Sequence, residues 1–179
     1  MVVSLTGFMG CGKSSIGIML QIVMPQASVI DLDTFIEKAE GRSIPEIFSS
    51  EGEVAFRQME YRALQELLSG VENADGEEPL IISLGGGTVT TPECAALVHG
   101  TTKCIYLRTG LDTLVSRLER DREGRPVLAG KESLRERISS LMEQRSSIYE
   151  KTAHVIIDTD GRNFISIAAY IAGLIRDSG

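Results

Sequence analysis

Nine residues near the start of the chain, "GFMGCGKSS" from Gly7 to Ser15, carry its most specific chemistry. Gly7 and Gly12 bracket four residues and precede Lys13 and Ser14, which is the spacing G-x-x-x-x-G-K-[ST]. Glycines let successive backbone N–H groups turn toward one anion, and a helix starting directly afterwards adds the positive end of its dipole. Lys13 is then placed to reach the β and γ phosphates of a nucleoside triphosphate, with the Ser14 hydroxyl as a ligand for Mg²⁺. Gly10, Cys11, Gly12 and Ser15 complete the expected ATP cradle, where Cys11 reads as a tolerated small residue rather than a reactive thiol.

Holding a phosphate does not say where it goes, because hydrolysis, switching and transfer all use such a loop. Three further segments bear on that. "VIDLD" puts Asp31 and Asp33 at a strand end, where alternation sends both to one side, although Asp33 also suits the N-cap of a following helix. "EGEVAFRQME" sets Arg57 on a helix among carboxylates, and "SLGGGTV" removes side chains at Gly85, Gly86 and Gly87, either for a turn or for close approach to the backbone. Arg57, or Arg145 in "RSSIY", taken alone reads as a surface arginine in salt bridges.

These residues need a scaffold, and the hydrophobic pattern supplies one. "MVVSLT", "ASVIDLD", "LIISL", "KCIYLR" and "HVIID" read as five short strands. Helices are expected at about 12–23, over "TFIEKAE" up to Gly41, and over "SIPEIF" with a Ser43/Glu46 capping box. Others are expected at about 53–68, from Pro92, from Leu111, at about 132–149 and at about 163–175. "GVENADGEEP" reads as a solvated loop. Strands alternating with helices imply an α/β fold with a parallel five-stranded sheet between two helical layers, whose sites collect beyond the carboxyl ends of the strands.

The chain of 179 residues is 42% hydrophobic, enough for one domain spanning 1–179. Lys and Arg number 18 against 25 Asp and Glu, for a net charge of -7, and the cations are scattered, which argues against a nucleic-acid partner. Three cysteines, Cys11, Cys94 and Cys104, with no C-x-x-C pair suggest neither a disulfide framework nor a zinc site. The longest apolar stretch, "IGIMLQIVM", is too short to span a membrane, and Gly7 leaves no room for a signal sequence, so a soluble cytoplasmic protein is expected.

The ordered set "GFMGCGKSS", "DLDTFIE", "GRSIPEIF", "GEVAFRQME", "SLGGGTVT", "RPVLAG" and "RSSIYEKTA" resembles the shikimate kinase family over nearly the whole chain. The resemblance implies a three-layer α/β/α P-loop NTPase fold with an acceptor-binding segment at about 32–61 and a mobile lid at about 117–131. It implies transfer of the γ-phosphoryl group of ATP to the 3-hydroxyl of shikimate, with Mg²⁺, toward chorismate and the aromatic amino acids; a monomer is expected, with a homo-oligomer left open. It makes Asp33 the base at the acceptor hydroxyls, Asp31 a water-mediated Mg²⁺ ligand beside Ser14, and Ser83 a Walker B-like residue or simply a strand end. Arg57 and Arg145 become the forks on the shikimate carboxylate, a task that suits guanidinium over ammonium, with Gly85, Gly86 and Gly87 against the acceptor ring. Arg125 becomes the lid arginine that joins Lys13 in catalysis, Arg117 packs by the adenine, and Arg162 lies in the adenine loop.

Two departures stand out: "IGIMLQIVM" is more apolar than is usual after this loop, and "DREG" before Arg125 gives a spacing one residue longer. A gluconate or nucleotide kinase would share the loop but need not combine "GEVAFRQME" with "SLGGG". A regulatory module that had lost its chemistry would be expected to lack Asp33 or Arg125, and both are present.

Overall fold

The computed structural model describes residues 1–72, 78–120 and 133–177. Five strands, β1 (Val2–Thr6), β2 (Ser28–Asp31), β3 (Leu80–Ser83), β4 (Lys103–Arg108) and β5 (Val155–Asp158), form one sheet in the order β2-β3-β1-β4-β5. Every pairing is parallel, with Leu5 opposite Ser83 on one side of β1 and Ile105 on the other. β1 and β3 are buried almost without interruption and β4 along its middle, as strands covered on both faces must be, while the edge strands β2 and β5 are more open.

Among the described residues, seven helices complete the fold: α1 (Lys13–Val23), α2 (Leu32–Glu40), α3 (Ile44–Glu72), α4 (Pro92–Thr101), α5 (Leu111–Arg120), α6 (Leu134–Thr152) and α7 (Phe164–Arg176). Helix α1 packs on α7, and α4 packs on α3 and α6. Apolar side chains at helical spacing, such as Ile16 and Leu20 or Ile167 and Ile171, are fully buried and join the strand residues in one core. The carboxyl ends of β1, β2 and β3 lead directly into the phosphate loop, into α2 and into the glycine run.

Three expectations are corrected, on the end of β2, on the separation of two helices and on the start of the loop after them. Strand β2 stops at Asp31, whose carboxylate accepts the Thr34 N–H and caps α2. Asp33 therefore lies in the first helical turn, so it is not the cap and strand alternation does not relate it to Asp31. The helices expected around "SIPEIF" and at 53–68 meet without a loop, because Gly52 at φ 81 turns the chain between them. That helix runs on through Glu72 into the stretch read as loop, and the "TVT" after the glycines forms an unforeseen 3-10 turn at Thr88–Thr90. Residues 117–120 of the expected lid are the last turn of α5, while 121–131, with Arg125, lie outside the described residues.

Candidate active site

Gly12 closes the phosphate loop as the N-cap of α1 at φ 102, a backbone setting side chains rarely adopt, and a Cβ there would lie 2.6 Å from the Phe164 ring. The Lys13 ammonium, nearly buried, donates to the carbonyls of Gly7 at 2.8 Å and Phe8 at 3.2 Å, which holds it inside the curl of the loop. Ser14 donates to Asp31 Oδ2 at 2.8 Å, and Ser83 donates to the same oxygen at 3.2 Å. A cavity of about 660 Å³ opens over Gly10, Gly12, Lys13, Ser14 and Ser15 and reaches Asp31, Arg117 and Phe164.

Arg117 donates to the carbonyls of Gly10 and Cys11, both at 3.1 Å, and its guanidinium lies 5.1 Å from the Phe164 ring centre. It therefore ties α5 to the loop. The sequence reading missed Phe164, whose signal was an apolar side chain directly after the N-cap Asn163. The Cys11 thiol is fully buried beneath the loop and does not line the cavity. Arg162 is also apart from it, with its guanidinium over Tyr170 at 5.6 Å.

Beside this cavity lies a smaller one of about 130 Å³, walled by Asp33, Arg57, Glu60, Arg145, the three glycines and the apolar Met9, Ile44, Phe48 and Phe56. Met9, Asp33, Ile44 and Gly86 line both cavities, so they form the boundary between them. Asp33 Oδ1 is buried and has no hydrogen-bond partner among the described residues. Burial first, then the nearby Glu60 and Asp31, push its carboxyl up to about 6, against the pull of Lys13 and Arg57. A carboxylate so raised and unpaired is suited to accept a proton.

Arg57 is held in place by two acids of its own helix, Glu53 at 2.9 Å and Glu60 one turn on. Burial works to lower the Arg57 pKa, but Glu60 and Glu53 outweigh it and the net shift is upward. Glu60 is wholly buried and also accepts from the Thr88 hydroxyl, and burial pushes its own pKa up. Sequence reasoning passed over Glu60, although it shares a helical face with the buried Phe56, Ala63 and Leu64. A Cβ on Gly85 would lie 2.8 Å from Asp33 Oδ1 and 2.9 Å from Glu60 Oε1, so only glycine leaves room there. From α6, Arg145 reaches the Gly86 carbonyl at 3.4 Å, and Tyr149 donates to the same oxygen.

The two cavities thus meet at Asp33, a buried carboxyl with an unpaired oxygen, the larger lying over the glycine-rich loop and the smaller walled by two arginines and two acids. The donor set at Ser14 and Asp31 is hard oxygen only, which fits Mg²⁺, an ion that keeps several waters and completes its shell with phosphate oxygens. Among the described residues no three His, Cys, Asp or Glu side chains gather into an all-protein metal cage.

Residues 9–176 match the family model described as shikimate kinase. The chain belongs to the shikimate kinase family. A shikimate kinase of Thermus thermophilus is 43% identical over 160 residues, covering 89% of this chain and 82% of that protein. The shikimate kinase of Enterococcus faecalis is 38% identical, with 89% of each chain covered. Among solved structures, a shikimate kinase from Acinetobacter baumannii in complex with shikimate superposes with a TM-score of 0.86 at 30% identity, covering 99% of this chain and 93% of that one. The P-loop NTPase fold of this kinase is therefore the one its order of motifs implied.

Proposed function

We propose that this chain carries out its family's reaction, the ATP-dependent phosphorylation of shikimate in aromatic biosynthesis, with ATP in the larger cavity and shikimate in the smaller. The observation that carries the assignment is Asp33, whose unpaired Oδ1 lies at the boundary of both cavities. Arg57 and Arg145 hold the acceptor carboxylate, and Gly85, Gly86 and Gly87 let the ring lie close to the backbone. Asp33 orients the 3-hydroxyl and takes its proton as the oxygen attacks the γ phosphorus. The bond from that phosphorus to the β–γ bridging oxygen breaks, and its electron pair leaves with ADP.

Lys13 stabilises charge on the β and γ phosphates, and Arg125, from the segment given to the lid, meets the transferred phosphoryl oxygens. Ser14, and Asp31 through water, would hold Mg²⁺, which when bound neutralises phosphate charge. Arg117 and Phe164 frame the nucleotide end. Three buried, unpaired cysteines suit the reducing cytoplasm. Among the described residues no helix is long and apolar enough to cross a membrane.

The test is ADP release from ATP and Mg²⁺ over shikimate, quinate, gluconate and nucleoside monophosphates. Stimulation by shikimate far above the rest is expected. Stimulation by a different acceptor would overturn the placement of Asp33, Arg57 and Arg145.

A further inference from the structure

Helix α6 presents Arg145 and, one turn later, Tyr149, and both donate to a single acceptor, the Gly86 carbonyl. The tyrosine is 1% exposed, with its ring 5.2 Å from that of Tyr106, so its hydroxyl has no solvent to turn to. Burial pushes the Tyr149 pKa up, which keeps it protonated and a donor. Gly86 lies against the phosphate loop, for a Cβ on it would come within 2.9 Å of the Met9 nitrogen, and Gly86 and Met9 line both cavities. The carbonyl thus belongs to the boundary between phosphate donor and acceptor.

We propose that Tyr149 is a positioning residue for acceptor binding: its hydroxyl occupies the Gly86 carbonyl and leaves Arg145 free for the acceptor carboxylate. The inference rests on the reading that Arg145 grips that carboxylate.

The physical argument is a competition. A buried carbonyl must find donors, and a guanidinium makes stronger bonds than a neutral group. With Tyr149 bonded to Gly86, Arg145 makes one long contact of 3.4 Å to that carbonyl and a side-chain bond to the Tyr149 oxygen, and its five-donor fork still leaves N–H groups for a ligand. Without the hydroxyl, the carbonyl's remaining donor among the described residues is Arg145, which is drawn back onto the protein and away from the pocket. The ring of Tyr149 packs the core and the hydroxyl sets the arginine, so removing the oxygen alone separates the two roles.

The test is steady-state kinetics of Tyr149→Phe, Arg145→Ala and the double variant, with thermal midpoints of each. Tyr149→Phe is expected to raise the shikimate KM about fivefold to tenfold, the scale of one hydrogen bond, while the MgATP KM and kcat hold within about twofold. In the Arg145→Ala background the same change should add nothing to the shikimate KM. An unchanged shikimate KM in Tyr149→Phe, with Arg145→Ala raising it, would overturn this proposal and leave the pocket assignment standing. An unchanged KM in Arg145→Ala would overturn both. Equal rises in both substrates' KM with a lowered thermal midpoint, or full additivity in the double variant, would assign Tyr149 to packing alone.

Discussion

The two cavities share a wall yet are built by different means. The nucleotide side is built around the curl of one short stretch, in which Gly7, Gly10 and Gly12 hold positive φ and the chain folds around Lys13, with side chains from α2, α5 and α7 at its margins. The acceptor side is walled by five separated segments, Met9 of the loop, α2, α3, the glycine run and α6, with a buried acid, Glu60, bonded to Arg57. A phosphate chain offers many equivalent oxygens, which a fan of N–H groups suits whatever the nucleotide. A small hydroxy acid must be held by its one carboxylate and turned to present one hydroxyl, and that takes fixed guanidinium forks and a base. The contrast teaches that changes on one side should leave the other's ligand largely undisturbed, except at the shared wall.

The largest effect is expected at that wall. Asp33→Asn should lower kcat by about 10²-fold or more, the usual worth of a general base, while both ligands still bind. Because burial, Glu60 and Asp31 all disfavour the charged form of Asp33, the metal-free Asn variant should also melt at a higher temperature than the parent. A variant that kept its turnover, or melted lower, would remove Asp33 from its assigned role.

Next comes Glu60→Ala, which breaks a buried ion pair and should cost about 3 kcal/mol in urea denaturation. Its shikimate KM should rise with it while ADP affinity holds, since Glu60 touches the acceptor wall alone.

A matched pair of glycines then gives effects of about tenfold, near the scale of 1.4 kcal/mol. Gly87→Ala, in an ordinary backbone conformation, would press its methyl into the Arg57 guanidinium and should raise the shikimate KM alone. Gly12→Ala meets both a positive φ and Phe164, so it should weaken MgATP and spare shikimate. Crossed or shared effects would show that the cavities do not act separately.

The smallest effect is expected far from either cavity, at the amino ends of β4 and β5, where His99 and His154 stack at 4.5 Å. His154 Nδ1 accepts the Cys104 N–H at 3.0 Å, and burial, His99 and Lys103 hold its pKa below the usual 6.5. The unfolded chain takes up that proton first, so this contribution is complete above about pH 6.5 and is lost as acid reaches the folded value. Because Asp33 and Glu60, whose pKa values are raised, gain stability over the same acid range, the His154 effect reads out as a difference: His154→Gln should hold a higher urea midpoint relative to the parent at pH 5.5 than at pH 7.5, without moving either KM at neutral pH.

How much of this was legible in the sequence follows from the same contrast. The loop and its helix could be read whole, because a contiguous motif carries its own geometry. Asp33, Arg57, Arg145 and the glycines could be named only by their resemblance to a family, since nothing local says that α3 and α6 face one pocket. Asp31 and Asp33 misled because "DLD" alternates like a strand, while the capping bond from Thr34 had already started the helix. Glu60 was hidden by its charge: an acid on a charged helix looks solvated until Phe56, Ala63 and Leu64 show which face is buried. Arg162 too could be named only by its place in the family's order, and its guanidinium lies 5.6 Å from the Tyr170 ring centre.

The most direct test of the division between the cavities is calorimetric titration of Arg57→Ala with shikimate and, separately, with MgADP. Loss of one charge-assisted bond predicts shikimate binding weaker by about tenfold or more, with MgADP binding unchanged within about twofold. Shikimate affinity equal to the parent's, or a parallel loss of both ligands, would contradict the account.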